Sequence, residues 1–272
     1  MSLSLYHSYI SCRSQRVYHI ATAEGLVELG YAVVRCSLKT TNINVRINAM
    51  KAVLSYVFCS QHNDSKVDSV VSNLRSSTSQ VYIGGHSFGA RVVASIGDEL
   101  KDQHSPKAKK AAGTEKSSTE VSSAESFSSK IQGIITFSYP LHPPGKQSQL
   151  RDKILFDLPD TMDVLMISGT KDPFGDLALM TKAQNKMTCS LTAVRIEKAG
   201  HSLVVGKSKK TDKQTGRTQE QALIHWITER IDEWIRKSDQ SATGNKRKRS
   251  SNKIYELAEI SMVNDSFKVS RT

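Results

Sequence analysis

The chain has 272 residues, of which 38% are hydrophobic and 24% charged, with a formal net charge of +12. That length suffices for one large α/β domain, while the low apolar fraction leaves part of the chain outside any core. Four scattered cysteines (Cys12, Cys36, Cys59, Cys189) form no C-x-x-C pair, which argues against a zinc site and a disulfide framework, so no metal or cofactor is expected.

Residues 1–15 have little clear character; Leu3, Leu5 and residues 6–10 suit at most a short edge strand. Apolar positions from Val17 to Leu29 suit a helix that Gly30 ends. Tyr31 to Leu38 is short and β-rich, as a buried strand is. Arg46 to Phe58 has helical spacing, with Ile47, Met50, Val53, Leu54 and Val57 on one side. Gln61 to Ser79 is polar, with a weak helix over Val67 to Leu74. Val81-Tyr82-Ile83 is an apolar strand leading into Gly84-Gly85-His86-Ser87-Phe88-Gly89, and a helix with Val92, Val93, Ile96 and Leu100 follows. The composition then shifts to Ser, Lys, Ala and Glu from about 102 to 130, which reads as a disordered surface insertion. Gln132 to Tyr139 is the next buried strand, ending in the rigid loop Pro140-Leu141-His142-Pro143-Pro144-Gly145. Asp163 to Gly169 is another, ending at Thr170-Lys171-Asp172-Pro173-Phe174-Gly175, with a helix over Asp176 to Met187. Ser190 to Ile196 is the last predicted strand and ends at Lys198-Ala199-Gly200-His201-Ser202. After a basic loop over Gly206 to Arg217, Thr218 to Arg236 is a long amphipathic helix. Residues 239–272 read as a polar, basic tail.

Strands alternating with helices predict a mainly parallel sheet covered on both faces. Right-handed crossovers place all the strand C-termini on one edge, where open α/β sheets carry their sites. The predicted domain spans 16–238, interrupted by the insertion.

Gly85-His86-Ser87-Phe88-Gly89 fits G-x-S-x-G between a strand and a helix, where a nucleophile elbow requires it. The motif alone is weak, since any tight strand-to-helix turn can carry it. Its context adds two more strand ends with reactive residues, Asp172 and then His201. Serine is a poor nucleophile until an imidazole takes its proton, and a carboxylate fixes the imidazole's tautomer. Ser87, Asp172 and His201 are therefore the candidate nucleophile, acid and base, and the Phe88 amide is the candidate oxyanion donor. His86, His142 and Pro143 are candidate pocket residues. His225 is read as structural, near the apolar face of its helix. Asp176 rivals Asp172 but suits a helix N-terminus better.

Four stretches carry a family resemblance: GGHSFGARVVAS at the elbow, SYPLHPPGK from Ser138, GTKDPFG from Gly169, and GHSL from Gly200. Over roughly Arg16 to Arg236 the chain resembles the α/β-hydrolase-like domain shared by testis-expressed protein 30 and subunit 3 of the non-specific-lethal chromatin complex, a relative of dienelactone hydrolases. The resemblance implies an α/β-hydrolase fold with Ser87, Asp172 and His201 at the catalytic positions. One departure stands out. Such folds carry an early strand whose loop supplies a second oxyanion amide, and nothing in residues 1–15 resembles it. The expectation is a fold missing its N-terminal strands.

Two functions follow. One is a serine hydrolase acting on a small ester or similar acyl substrate. The other is a weak or inactive scaffold that binds protein partners, including in a nuclear chromatin complex. It is motivated by the missing loop, the basic insertion and Lys246-Arg247-Lys248-Arg249, a run that suits a nuclear import signal. The basic stretches lack interleaved aromatics, which argues against nucleic acid. No apolar run approaches membrane-spanning length and the N-terminus has no secretory signal, so the expected compartment is cytosol or nucleus.

Overall fold

A computed structural model describes residues 2–8, 13–37, 39–58, 68–77, 80–100, 127, 129–206, 210–243, 253–263 and 266–271. Most of the predicted insertion, Lys246 to Arg249, Cys12 and Cys59 lie outside the described residues.

In chain order the elements are β1 (Ser2–Ser8), α1 (Arg13–Glu28), β2 (Ala32–Ser37), α2 (Ile43–Phe58), α3 (Asp68–Ser77), β3 (Gln80–His86), α4 (Phe88–Glu99) and β4 (Ile131–Phe137). There follow α5 (Lys153–Phe156), β5 (Asp163–Gly169), α6 (Leu177–Lys186), β6 (Ser190–Ile196), α7 (Gln219–Thr243), β7 (Lys253–Val263) and β8 (Ser266–Arg271). They form one sheet in the order β2-β1-β3-β4-β5-β6-β7-β8. All pairings are parallel except β7 with β8.

Alternate residues of the central strands feed two cores. Val81 and Ile83 of β3, Val164 and Met166 of β5, and Leu191 and Ala193 of β6 pack with α2, α4, α5 and α6. Tyr82, Leu165, Ile167, Val194 and Ile196 point the other way, against Leu26 of α1 and Leu223, Ile227, Ile231 and Trp234 of α7. Period-two side-chain alternation thus makes unbroken apolar runs of strands that are covered on both faces. Each such Leu or Ile contributes about 1.5–3 kcal/mol of burial. Gly30, at φ +90°, ends α1 as predicted.

Two expectations are corrected. The N-terminal strand is not at an edge. β1 lies between β2 and β3, with Leu5 opposite Ile83 and His7 opposite Gly85. The position beside the elbow strand, expected to be empty, is therefore filled. The polar tail, in turn, supplies two strands: β7 extends the parallel sheet beside β6, and β8 returns antiparallel. Arg230 of α7, buried, reaches across to Glu256 of β7 and also pairs with Glu233, which ties the added strand to the long helix. Among the described residues no helix is long and apolar enough to cross a membrane.

Candidate active site

β3 ends at His86, and Ser87 turns the chain directly into α4. Its backbone, at φ 54° and ψ −113°, lies in a region that L-residues rarely occupy. The turn is held because the Ser87 N–H donates to Phe137 O at 2.8 Å while Arg91 N–H donates to Ser87 O at 3.3 Å. The glycine before it has a steric reason. A Cβ on Gly85 would come within 2.3 Å of the Gly89 backbone. Ser87 is the N-cap of α4 by position, but its hydroxyl makes no capping bond. It goes to histidine instead, with 2.7 Å between Ser87 Oγ and His201 Nε2.

Asp172 follows β5 in a tight loop. Phe174 N–H donates to Asp172 Oδ1 at 2.9 Å, which fixes the carboxylate. His201 follows β6. Its Nδ1 lies 3.0 and 2.9 Å from the two Asp172 oxygens. The Asp172 side chain is 2% exposed and that of His201 15%. A neutral ring protonated at Nδ1 donates to the carboxylate and accepts the Ser87 hydroxyl proton at Nε2. The two loops are packed backbone on backbone. Lys171 N–H donates to Ala199 O at 2.9 Å, and a Cβ on Gly169 would fall 2.2 Å from that oxygen. The structure thus brings Ser87, Asp172 and His201 into one chain of hydrogen bonds at the C-terminal edge of the sheet. Asp176 is elsewhere, as the N-cap of α6, accepting from Leu179 N–H.

The candidate pocket histidines have other tasks. His86 is buried, and its Nε2 donates to the His201 carbonyl oxygen at 2.9 Å. Burial pushes its pKa down to about 4, against the opposing pull of that carbonyl. The neutral ring packs 5.2 Å, centroid to centroid, from His201. Both nitrogens of His142 are occupied by backbone. Nδ1 donates to Pro143 O at 2.9 Å, and Nε2 accepts from Asp176 N–H at 3.1 Å. With the His142 N–H donating to Phe174 O at 3.1 Å, this residue clamps the proline loop to the Asp172 loop. Pro143, half-buried, serves that clamp through its carbonyl. Sequence position placed His142 at the right edge but could not show that its ring is used up. His225 is exposed on α7, within 3.4 Å of Glu229, not packed against the apolar face.

Three features were not anticipated. The Phe174 ring stacks on His201 with centroids 4.3 Å apart, and its place within the quoted KDPFG stretch was the available signal. Phe88, the residue after Ser87, has the guanidinium carbons of Arg46 and Arg91 at 4.9 and 5.3 Å from its ring centre. Arg91 is three residues beyond Phe88 on the same helix, a spacing that stacks side chains. Finally, β1 runs parallel to β3 and ends beside it at the same edge. Residues 9–12, next after β1, lie outside the described residues, as does any amide they offer.

A parallel sheet with a strained serine between a central strand and its helix, and a histidine and aspartate on later strand ends, is the architecture of α/β-hydrolases. The chain belongs to the alpha/beta hydrolase domain family, which it matches over residues 60–236. Its fold is similar to that of Est1E from Butyrivibrio proteoclasticus, at 14% identity over 86% of this chain and 88% of the other, with a TM-score of 0.52. The structure described as ferulic acid bound to Est1E matches at 14% identity, 88% and 90% coverage and TM-score 0.54. The esterase domain of a Rhodothermus marinus protein matches at 11% identity over 86% of each chain, with a TM-score of 0.50.

Proposed function

We propose that this chain is a serine hydrolase that cleaves a small ester through an acyl-enzyme on Ser87. The observation that carries the reading is the 2.7 Å contact between Ser87 Oγ and His201 Nε2, on a ring whose other nitrogen meets a buried carboxylate. In this reading Ser87 Oγ attacks the ester carbonyl carbon as its proton passes to His201 Nε2. Asp172 stabilises the resulting imidazolium. The tetrahedral oxyanion is met by the Phe88 amide at the start of α4, where the helix dipole also favours negative charge. Collapse expels the alcohol, which takes its proton from His201. Water, deprotonated by His201, then attacks the acyl carbon and releases the acid, restoring Ser87. One structural neighbour is described as an esterase domain, which agrees with this reading.

Within the family, the elbow, SYPLHPPGK, GTKDPFG and GHSL stretches support membership of the branch shared by testis-expressed protein 30 and the chromatin-complex subunit. The scaffold alternative drew its support from the missing oxyanion loop, the basic insertion and Lys246 to Arg249, and the early strand that would lead into such a loop is present as β1, paired beside the elbow strand. With β1 in that position, hydrolysis is the reading we carry. A fluorophosphonate probe should label the wild-type protein at Ser87 and leave Ser87→Ala unlabelled. His201→Ala should slow labelling by at least about a thousandfold. Absence of wild-type labelling, under conditions that label a control hydrolase, removes the proposal.

A further inference from the structure

The α2/α4 side of the site is cationic. Arg91, in the first turn of α4, and Arg46, in the first turn of α2, bring their guanidinium groups to the ring of Phe88. Arg151, on the segment leaving the proline loop, has Nη1 3.4 Å from the Pro140 carbonyl oxygen. Its N–H donates to Leu141 O at 2.8 Å, in the loop that leaves β4, while Arg91 N–H donates to Ser87 O at 3.3 Å at the end of the paired strand β3. The like charge of Arg151 adds to the larger effect of burial in lowering the Arg91 pKa. Tyr139 lies between them electrostatically. Its hydroxyl donates to Arg151 O at 2.7 Å, and its pKa is raised by burial, so it supplies no charge. Asp152 acts on that ring in the same direction as burial. Among the described residues neither Arg91 nor Arg151 forms an ion pair, and Arg91 Nε is buried with no hydrogen-bond partner.

Two half-buried like charges beside a nucleophile are costly in the free protein. A planar guanidinium fork is also the group best shaped to take a carboxylate or phosphoryl group through two hydrogen bonds. The site's own acid does not compete, because both Asp172 oxygens are committed to His201 Nδ1. We propose that Arg91 and Arg151 form an anion subsite next to Ser87, so that the ester cleaved carries a carboxylate or phosphoryl group. This rests on the reading of Ser87 as nucleophile.

The test compares three aryl esters: the monoaryl ester of glutaric acid, the same ester with its free carboxylate capped as a methyl ester, and a matched ester ending in a phosphate. The charged esters should exceed the neutral one in kcat/KM by at least about tenfold, the scale of one charge-assisted hydrogen bond. The advantage should shrink as salt rises. It should fall about tenfold in Arg91→Gln and in Arg151→Gln, and be partly kept in Arg91→Lys. The better of the two charged esters identifies the anion. Equal kcat/KM for charged and neutral esters, or a ratio unchanged in both glutamine variants, overturns the subsite. Calorimetric titration of glutarate and of inorganic phosphate into Ser87→Ala separates the two readings, since it needs no turnover. Anion binding that weakens in the Ser87→Ala/Arg91→Gln protein keeps the subsite even if no ester is cleaved. Ester cleavage without anion preference keeps the hydrolase and removes the subsite. Neither cleavage nor anion binding removes both.

Discussion

His86 couples the site to the stability of the fold. Its ring is buried one residue before Ser87 and donates to the His201 carbonyl, so it holds the backbone of the proposed base. Its pKa, held down to about 4 by burial, lies below the unfolded value of 6.5. As pH falls through 6.5, the unfolded chain therefore takes up a proton that the native ring refuses. Stability is full above that pH and is lost progressively down to about 4, by on the order of 3 kcal/mol in total. Urea unfolding at pH 7 and pH 4.5 should show the wild type losing about 2–3 kcal/mol more than His86→Asn over this interval. Comparing the two proteins cancels the carboxylates that titrate in the same range. Parallel losses in both would show that His86 titrates no differently in the folded protein. At this scale the sequence was informative where a residue's position follows from a strand end, as with Ser87, Asp172 and His201, which the structure brings into one chain of hydrogen bonds. It was silent where the role depends on what a ring nitrogen meets, as with His86 and His142.

Among the elements, the strands at the two ends of the chain are the instructive ones. β3, β4, β5 and β6 read directly as VYI, GIITF, VLMI and LTAV, because a strand buried on both faces must be apolar throughout. β1 carries Leu3, Leu5, Tyr6 and His7 among serines, and its interior place comes from pairing with residues 80–85, far along the chain. Local pattern cannot encode such a partner. β7 was illegible for another reason. Glu256, Ala258 and Ile260 lie on the covered side while Ile254, Tyr255 and Leu257 are exposed, so residue type does not mark the buried face. What holds it is the pairing with β6 together with the Arg230 to Glu256 contact. The Arg230 side chain is 4% exposed and that of Glu256 14%. Glu256→Gln leaves a buried guanidinium with only Glu233, whose side chain is 46% exposed. Removing one partner of a fully buried pair costs about 3–5 kcal/mol, and the remaining glutamate reduces this to about 2 kcal/mol. Urea denaturation of wild type and variant measures the difference. An effect below about 0.5 kcal/mol would mean that the pair behaves as an exposed one and that β7 is held by sheet pairing alone.

Across the whole molecule, the direction of α4 separates the proposed chemistry from the largest composition shift in the chain. Ser87 lies at the C-terminal edge of the sheet, and α4 runs from it over 12 residues to Glu99, about 18 Å at the rise of an α-helix. β4 then begins at Ile131, opposite Val81 near the start of β3, with Val81 N–H donating to Lys130 O at 2.8 Å. Leu100 and Phe127, which flank residues 101–126, are therefore both at the opposite edge from Ser87. The insertion, read above as basic, is balanced: residues 102–125 hold four lysines and four acids, Lys107, Lys109, Lys110 and Lys116 against Asp102, Glu115, Glu120 and Glu125, so removing them leaves the net charge at +12. No long-range electrostatic change at the site should follow. Replacing residues 102–125 with six Gly/Ser residues shortens the connection about threefold. Loop-closure entropy then favours the folded state by about 1 kcal/mol. The shortened protein should unfold at slightly higher urea, and the rate of fluorophosphonate labelling at Ser87 should stay within about twofold of wild type. A tenfold or greater loss of labelling in a protein that still folds would place the insertion in contact with the site. The separation by sheet edge argued from α4 would then be wrong.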